Sequence, residues 1–329
     1  SYTWSIASGS LPPNLALDSS TGGINGDIDS NASANSPYNF TVEVTDGQQT
    51  VQANLSIAVC PQLQITTASL TDGYEGQVGY SVTLAATGGA GTYTWSRTSG
   101  TLPTNLSWDA TTATISGDIA AGTAGDYPLQ FEVTDGVQTV TAGLTLTVHA
   151  PLQITATTLP DGYDGQTGYS ATLTATGGTG SYTWSIASGG LPANLSIDSN
   201  GLITGDIATG ITGSHTITVE VTDGIQTVTA DLILNVYTHV FVQTTALNDG
   251  YENAVYSGDT LQAADGKPPY TWKEVGTTLQ DLGLTINSTT GEVTGTPNTG
   301  GDFTFTVEVT DSLGAIHQKQ IAIRVITAV

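Results

Sequence analysis

Carboxylates are the most numerous side chains of this sequence that could do chemistry. Asp and Glu number 29 against 5 Lys and Arg, which gives a formal net charge of −24. Pairs of acids recur in the stretches "TDGYEG", "PDGYDG" and "NDGYEN". Carboxylate oxygens suit Ca²⁺, but that ion needs about six to eight oxygen ligands, so a site requires several acids to cluster. A solvated acidic surface is the alternative interpretation.

Other side chains give no sign of a catalytic centre. The four histidines share no spacing typical of a metal site or a catalytic triad; they are His149, His215, His239 and His317. We therefore predict that the protein is not an enzyme. Covalent Lys–Asn cross-links, which stiffen some surface domains, are open only to the last part of the chain, because its three lysines all lie there.

The charge also limits the partners. With so few Lys and Arg, no basic patch can form to displace counterions from phosphate, so we predict no binding to nucleic acid. The same argument speaks against docking to anionic membranes. No apolar run of about 18 residues is present, so we predict no membrane insertion.

The chain repeats itself about every 90 residues, and this repeat must position the acids. The motif "YTWS" starts at Tyr2, Tyr93 and Tyr182, and it returns as "YTWK" at Tyr270. A unit of this length can bury its own core, so each copy is predicted to be a domain. The predicted boundaries are 1–60 for repeat 1, 61–150 for repeat 2, 151–237 for repeat 3 and 238–329 for repeat 4.

Alternation with a period of two predicts β-strands throughout. The stretch "TVTAGLTLTV" from Thr139 alternates small hydroxyl and apolar residues. Asp-Gly pairs between two such runs predict hairpins, as at Asp135-Gly136. Repeat 2 contains about seven short strands, which is typical of an immunoglobulin-like sandwich. The tryptophan of each "YTW" motif is expected between the two sheets, whereas Trp108 has no counterpart and is expected to be partly exposed.

Short joints connect the repeats. "VCPQLQIT" from Val59 and "VHAPLQIT" from Val148 each contain a stiffening Pro, and "VYTHVFVQTT" from Val236 offers bulky residues that can pack across the joint. Such joints predict tandem sandwiches in an extended rod, on the order of 150 Å long at about 3.3 Å per strand residue. Cys60, at the first joint, is expected to be a buried small apolar group; an intermolecular disulfide is the alternative.

Repeat 1 starts at its third strand, at "SYTW". The counterpart of Leu63–Thr87 in repeat 2 is missing, which leaves core and strand edges uncovered. Either the sequence is a piece of a longer array, which we favour, or another molecule supplies strands by β-augmentation.

The pattern "LPxNLxxD…GxIxGD…VEVTDG" resembles the putative-Ig family of bacterial and archaeal surface proteins, which is related to dystroglycan-type cadherin-like domains. The resemblance covers the whole chain and implies a cadherin-like sandwich. Cadherin-like relatives bind Ca²⁺ between domains, so it also implies Ca²⁺ as the one candidate cofactor, although the Asp- and Asn-rich linker of cadherins is missing. The candidate ligands are Asp72, Glu75, Asp135, Asp161, Asp164, Asp223, Asp249, Glu252 and Asp311. Turn-setting aspartates are the alternative interpretation.

A structural function follows as the hypothesis: a subunit or segment of an extracellular filament, stalk or surface layer, whose partners are copies of itself or neighbouring domains. An adhesin that presents loops to glycans or cells is one alternative, with the repeated Tyr74, Tyr163 and Tyr251 as contact candidates. A spacer in a larger secreted enzyme is the other. If the protein is secreted, its Asn-X-Ser/Thr sites are candidates for glycosylation, above all Asn105, Asn194 and Asn287.

Overall fold

The computed structural model describes residues 1–327, and almost all of its regular structure is strand. The helical elements of this part are a 3₁₀ turn at Ala32–Asn35 and a single α-helical turn, α1, at Thr278–Asp281. The prediction of an all-β fold is confirmed. The chain divides into two compact units, one from Ser1 to Pro151 and one that begins at Leu152, and each holds two repeats.

Repeats 2 to 4 share one arrangement of nine strands, whereas repeat 1 has five. Repeat 1 contains β1 (Thr3–Gly9), β2 (Ala16–Leu17), β3 (Ile24–Asn25), β4 (Tyr38–Thr45) and β5 (Thr50–Ile57). Repeat 2 contains β6 (Gln64–Ile65), β7 (Gly73–Tyr74), β8 (Tyr80–Thr83), β9 (Ala86–Thr87), β10 (Thr94–Ser99), β11 (Leu106–Asp109), β12 (Thr114–Gly117), β13 (Gly125–Thr134) and β14 (Thr139–His149).

The strands of the second compact unit follow the same order. Repeat 3 contains β15 (Gln153–Ile154), β16 (Gly162–Tyr163), β17 (Tyr169–Thr172), β18 (Ala175–Thr176), β19 (Thr183–Gly189), β20 (Leu195–Ile197), β21 (Leu202–Gly205), β22 (Gly213–Thr222) and β23 (Thr227–Tyr237). Repeat 4 contains β24 (Phe241–Val242), β25 (Gly250–Tyr251), β26 (Tyr256–Thr260), β27 (Ala263–Ala264), β28 (Thr271–Val275), β29 (Leu284–Ile286), β30 (Glu292–Gly295), β31 (Gly301–Thr310) and β32 (Ile316–Ile326).

Each complete repeat forms a four-stranded sheet, a three-stranded sheet and a two-stranded pair. In repeat 2 the orders are β10-β13-β14-β7, β11-β12-β8 and β6-β9, and repeats 3 and 4 reproduce them strand for strand. The pairs are antiparallel except that β7 runs parallel to the last strand, with Gly73 opposite Val148. This pairing gives the last strand a neighbour on both sides.

Alternation places one face of each long hairpin in the core. On β13 the inward side chains of Leu129, Phe131 and Val133 are buried, while the residues between them are not. The hairpin turns at Asp135, as the Asp-Gly pair predicts, and Gly136 takes a positive φ there. Clusters of buried apolar side chains fill repeats 2, 3 and 4. Trp95, Trp184 and Trp272 belong to them, as predicted.

Repeat 1 buries less of the same face. Its sheets are β1-β4-β5 and β2-β3, so β5 and β3 each have a neighbour on one side. Leu55 on β5 is 45% exposed, whereas Leu144 at the equivalent place on β14 is 7% exposed. Trp4 is half-buried. Apolar side chains that a complete repeat covers therefore face solvent in this one.

The structure corrects the expected burial of Cys60 and adds two strands to those expected in repeat 2. Cys60 is exposed, so its expected burial is wrong, because the chain between β5 and β6 forms no strand pair there. Trp108 is half-buried, as expected of a partly exposed residue, with its ring 4.9 Å from that of Phe131. All seven strands expected in repeat 2 exist, and the two-residue strands β7 and β9 are additional.

Candidate functional site

In repeats 2, 3 and 4 the aspartate after the "VT" pair holds two loops together. In repeat 3 the Oδ1 atom of Asp223 accepts hydrogen bonds from the N–H groups of Ile225 and Gln226, at 2.9 and 2.6 Å. Its Oδ2 atom accepts the N–H of Thr179, at 2.9 Å, from the loop before β19. Asp135 and Asp311 repeat this pattern in repeats 2 and 4. Both oxygens of these carboxylates are therefore engaged by backbone donors.

These contacts stabilise the ionised form of the turn aspartates. Burial opposes ionisation of Asp223, which is 8% exposed, but the N–H donors outweigh it and lower the pKa of this carboxyl. The pKa of Asp135 is also lowered, chiefly by the N–H of Gln138 and then by those of Val137 and Ala90. This arrangement favours the interpretation of the "VTD" acids as turn residues.

A glycine makes the close approach of the two loops possible. Gly178, beside Thr179, has a φ of +59°, and a Cβ there would lie 2.0 Å from Oδ2 of Asp223. Gly266 takes the same place in repeat 4, where a Cβ would lie 2.8 Å from Oδ2 of Asp311. Any side chain at these positions would displace the aspartate.

The acids of the "DGY" stretches contact different partners. The Oδ2 atom of Asp72 lies 3.0 Å from Nε2 of His149, within hydrogen-bond distance. Glu75 accepts the N–H of Ala124, at 2.6 Å. In repeat 3 Asp164, the counterpart of Glu75, accepts the N–H of Gly210, at 2.6 Å, from the corresponding loop but two positions earlier. Asp72 thus joins the segment before β7 to the end of β14, and Glu75 joins the segment after β7 to the loop before β13, as Asp164 does for the corresponding segment and loop of repeat 3.

Within residues 1–327, no three His, Cys, Asp or Glu side chains come close enough together to hold a metal ion. Seven of the nine candidate Ca²⁺ ligands make side-chain hydrogen bonds within the part of the chain that the structure describes, and the turn bonds of Asp135, Asp223 and Asp311 are those that the alternative interpretation expects. Ca²⁺ binding by Asp72, Glu75, Asp135, Asp161, Asp164, Asp223, Asp249, Glu252 and Asp311 stays a prediction.

Asp161 reaches across the joint between repeats 3 and 4. Its Oδ2 atom lies 2.5 Å from Nζ of Lys267 in repeat 4, and its Oδ1 atom accepts a hydrogen bond of 3.1 Å from Nδ2 of Asn235. Burial of Asp161 opposes ionisation, but the bonds from Lys267 and Asn235 outweigh it, so the pKa of Asp161 is lowered. Neither the pair nor its position was predicted.

Aromatic side chains add further contacts at this joint. Nζ of Lys267 lies 5.4 Å from the ring centre of Tyr237, the last residue of β23. Tyr163 packs against the core of repeat 4, and its ring meets that of His239 edge-on, at 5.7 Å between centres. The bulky residues of the third joint thus pack across it, as predicted. Tyr251, the counterpart of Tyr163 in repeat 4, is 59% exposed.

The glycosylation candidates lie at the surface. Asn105, Asn194 and Asn287 are all exposed. Asn105 and Asn194 take positive φ values of 72° and 71° in the "LPxNL" turn. Their modification stays a prediction.

The sequence profile of one protein family, described as "Putative Ig domain", matches the chain four times. The matches cover residues 1–60, 62–149, 150–237 and 241–326. This chain belongs to the Putative Ig domain family. The resemblance drawn from the "VTDG" and "LPxNL" motifs is thereby confirmed, and the fold is that of tandem Ig-like repeats.

Several solved structures are similar to this Ig-like chain at low identity. The human desmocollin-1 ectodomain is 13% identical, with a TM-score of 0.34 over 99% of this chain and 75% of that chain. An I-band fragment of titin is 12% identical, with a TM-score of 0.37 over 81% of this chain and 99% of that one. An endo-fucoidan hydrolase of glycoside hydrolase family 107 is 20% identical, with a TM-score of 0.29 over 80% and 43%.

No curated protein sequence matches the chain. Within the residues that the structure describes, no helix is long and apolar enough to cross a membrane. The family assignment therefore rests on the fourfold sequence match. It shows the Ig-like fold of the repeats and leaves the function to be proposed.

Proposed function

We propose that these tandem Ig-like repeats form a structural segment of an extracellular filament, stalk or surface layer. The joint between repeats 3 and 4 is the observation that carries the proposal. Strand β23 ends at Tyr237 and β24 begins at Phe241, so three residues separate the last strand of one sandwich from the first strand of the next. Side chains of both repeats contact each other around this short linker.

Such a joint suits a protein that transmits position or force along its length. A short linker limits the freedom of the two domains, and contacts across it reduce that freedom further. The proposed partners are neighbouring domains of the same kind or further copies of the chain. The strong net negative charge of the repeats favours solubility over collapse onto anionic surfaces.

The position of Tyr163 favours this function over display of binding loops. A tyrosine that contacted glycans or cells would need an open ring face, but Tyr163 packs against the core of repeat 4. In repeat 3 the tyrosine of the "DGY" stretch is therefore a packing residue. The adhesin and the enzyme spacer remain as the alternatives.

Immunogold electron microscopy on the source cells tests the proposal. Antibodies raised against repeats 2 and 3 are expected to label filaments, stalks or a continuous layer outside the cell envelope. Label confined to the cytoplasm, or to isolated globular particles, would contradict it. Binding of the purified chain to a glycan array, lost in Tyr251→Ala, would favour the adhesin instead.

A further inference from the structure

The joint between repeats 3 and 4 contains an ion pair between Asp161 and Lys267. The pair exists because repeat 4 has a lysine at a loop position where repeats 2 and 3 have no charged residue. The N–H of Lys267 binds Oδ2 of Asp311, as the N–H of Thr179 binds Asp223 and that of Ala90 binds Asp135. Position 267 is thus the structural counterpart of an alanine and a threonine. Only at this copy of the loop does a long cationic side chain extend towards the preceding repeat.

The backbone of Lys267 is held firmly, so its side chain starts from a fixed point. Its N–H donates to Asp311 at 2.9 Å, and its C=O accepts from the N–H and the Oγ of Ser312, at 2.9 and 2.8 Å. Next to it, the N–H of Gly266 donates to the C=O of Thr238 in the linker, at 3.0 Å. The loop is therefore attached both to its own repeat and to the joint.

The acceptor on repeat 3 is equally well positioned. Asp161 is bound by Asn235 on β23, and the following loop is fixed by the N–H of Asp164, which donates to the C=O of Tyr237 at 2.8 Å. The side chain of Asp161 is 18% exposed, and that of Lys267 is 35% exposed. A partly buried pair between two anchored loops loses less side-chain entropy than a free surface pair, so it couples the loops more effectively.

We propose that the end face of repeat 3, formed by Asp161, Tyr163 and Tyr237, is a binding surface for the Lys267 loop of repeat 4. The Asp161–Lys267 pair couples local unfolding of the Asp164 loop in repeat 3 to local unfolding of the Gly266 loop in repeat 4. This coupling holds whether the array is a stalk, a layer or an adhesin, so it does not rest on the proposed function.

Hydrogen exchange on the full chain tests the coupling, with the amides of Asp164 and Gly266 as readouts on the two sides of the joint. Lys267→Gln removes the cation from repeat 4. We expect it to speed exchange in the loop of repeat 3 around Asp164 by about two- to fivefold, the range of a partly exposed ion pair. Asp161→Asn is expected to speed exchange at Gly266 by a similar factor.

Lys273→Gln is the matched control, because Lys273 pairs with Glu308 inside repeat 4, at 2.7 Å. It is expected to leave the amide of Asp164 unchanged. The exchanged pair Asp161→Lys with Lys267→Asp is expected to restore much of the protection that either single change removes. Equal exchange at Asp164 in the wild type and in Lys267→Gln, or changes confined to repeat 4, would overturn the proposal even if every variant folds.

Discussion

Asp135, Asp223 and Asp311 each join two loops that lie far apart in the sequence. The turn role of an aspartate at the end of a "VTD" strand can be predicted, because Asp side chains accept N–H groups two and three residues ahead. The bond from the N–H of Thr179 to Asp223 cannot be predicted from local sequence, because the two residues lie 44 positions apart. Only the folded sandwich brings the "GG" loop to the hairpin.

Asp223→Asn should therefore destabilise repeat 3. The amide keeps one acceptor oxygen and brings an NH₂ group opposite a backbone donor, so at least one bond to a charged acceptor is lost. We expect a loss of about 1–3 kcal/mol in the free energy of unfolding. Urea titration measures it, with Asp231→Asn as control, because Asp231 accepts only a hydroxyl on the exposed face, that of Thr218. Equal effects of the two changes would contradict the special role of Asp223.

His317 should make the stability of repeat 4 depend on pH. Its Nδ1 accepts the N–H of Val242, at 3.1 Å, which a protonated ring cannot do. Burial, and then the positive charges of His239 and Lys319, lower its pKa. A proton thus favours the unfolded chain, so repeat 4 is fully stable above the unfolded pKa of about 6.5 and weakens as the pH falls below it.

The measurement is hydrogen exchange along β32 at pH 7.5 and pH 5, corrected for the intrinsic pH dependence of exchange. The wild type is expected to lose protection at pH 5. His317→Gln keeps an acceptor for Val242 without a titrating group, so its protection is expected to vary less. The same pH dependence in both proteins would rule out His317 as the cause.

At the scale of the elements, pattern length decides what could be predicted. The hairpin β13–β14 alternates with a period of two along strands of ten and eleven residues, so the sequence predicts it together with its turn. Strand β7 has two residues, which are too few to show a period, so the sequence does not predict it. Gly73 allows its parallel contact with β14, because a Cβ there would lie 2.4 Å from Cδ1 of Ile119.

Repeat 1 should be stabilised by the strands that the complete repeats possess. Residues 1–9 are identical to residues 181–189, so the segment 152–180 can be grafted ahead of Ser1 without altering the join. The graft should cover β5 and bury Leu55 as Leu144 is buried. Full burial of a leucine is worth about 1.5–3 kcal/mol, and Leu55 would go from 45% exposed to about the 7% of Leu144, so this side chain is expected to add about 0.5–1 kcal/mol to the unfolding free energy of repeat 1.

Exchange at the amides of β5 reports this gain. The control is a graft in which the glycine equivalent to Gly162 is changed to Val, since a Cβ at Gly162 would lie 2.5 Å from Cδ1 of Ile207. That graft should protect β5 less. Fast exchange at β5 in both grafted chains would show that the added strands do not dock.

At the scale of the whole molecule, the sequence predicts the four repeated domains but does not predict which side chains couple one domain to the next. The fourfold match to one family agrees with the four "YTW" motifs, because each domain carries its own core and its own signature. Coupling depends on single side chains at the joints, such as Lys267, whose counterparts Ala90 and Thr179 differ in length and charge. No repeat pattern can encode such a difference.

The calcium hypothesis makes a prediction for the whole array. If the candidate acids bind Ca²⁺, about 2 mM CaCl₂ should raise the unfolding midpoint above that in excess chelator, since an ion that binds only the folded state stabilises it. Mg²⁺ at the same concentration is the control for general screening of the net charge of −24. Equal unfolding midpoints in Ca²⁺ and in chelator would contradict Ca²⁺ binding by these acids.

The extended arrangement stays a prediction, and it can be tested in solution. Joints of a few residues predict a largest dimension on the order of 150 Å by small-angle scattering, at about 3.3 Å per strand residue. A Gly-Ser insert of about ten residues between Thr238 and His239 should separate repeats 3 and 4 and broaden the distance distribution, because such a linker behaves as a flexible coil. The same insert in the exposed loop at Gly122 should leave the distribution unchanged. If both inserts have the same effect, or if the wild type measures about half the expected length, short joints do not extend this array.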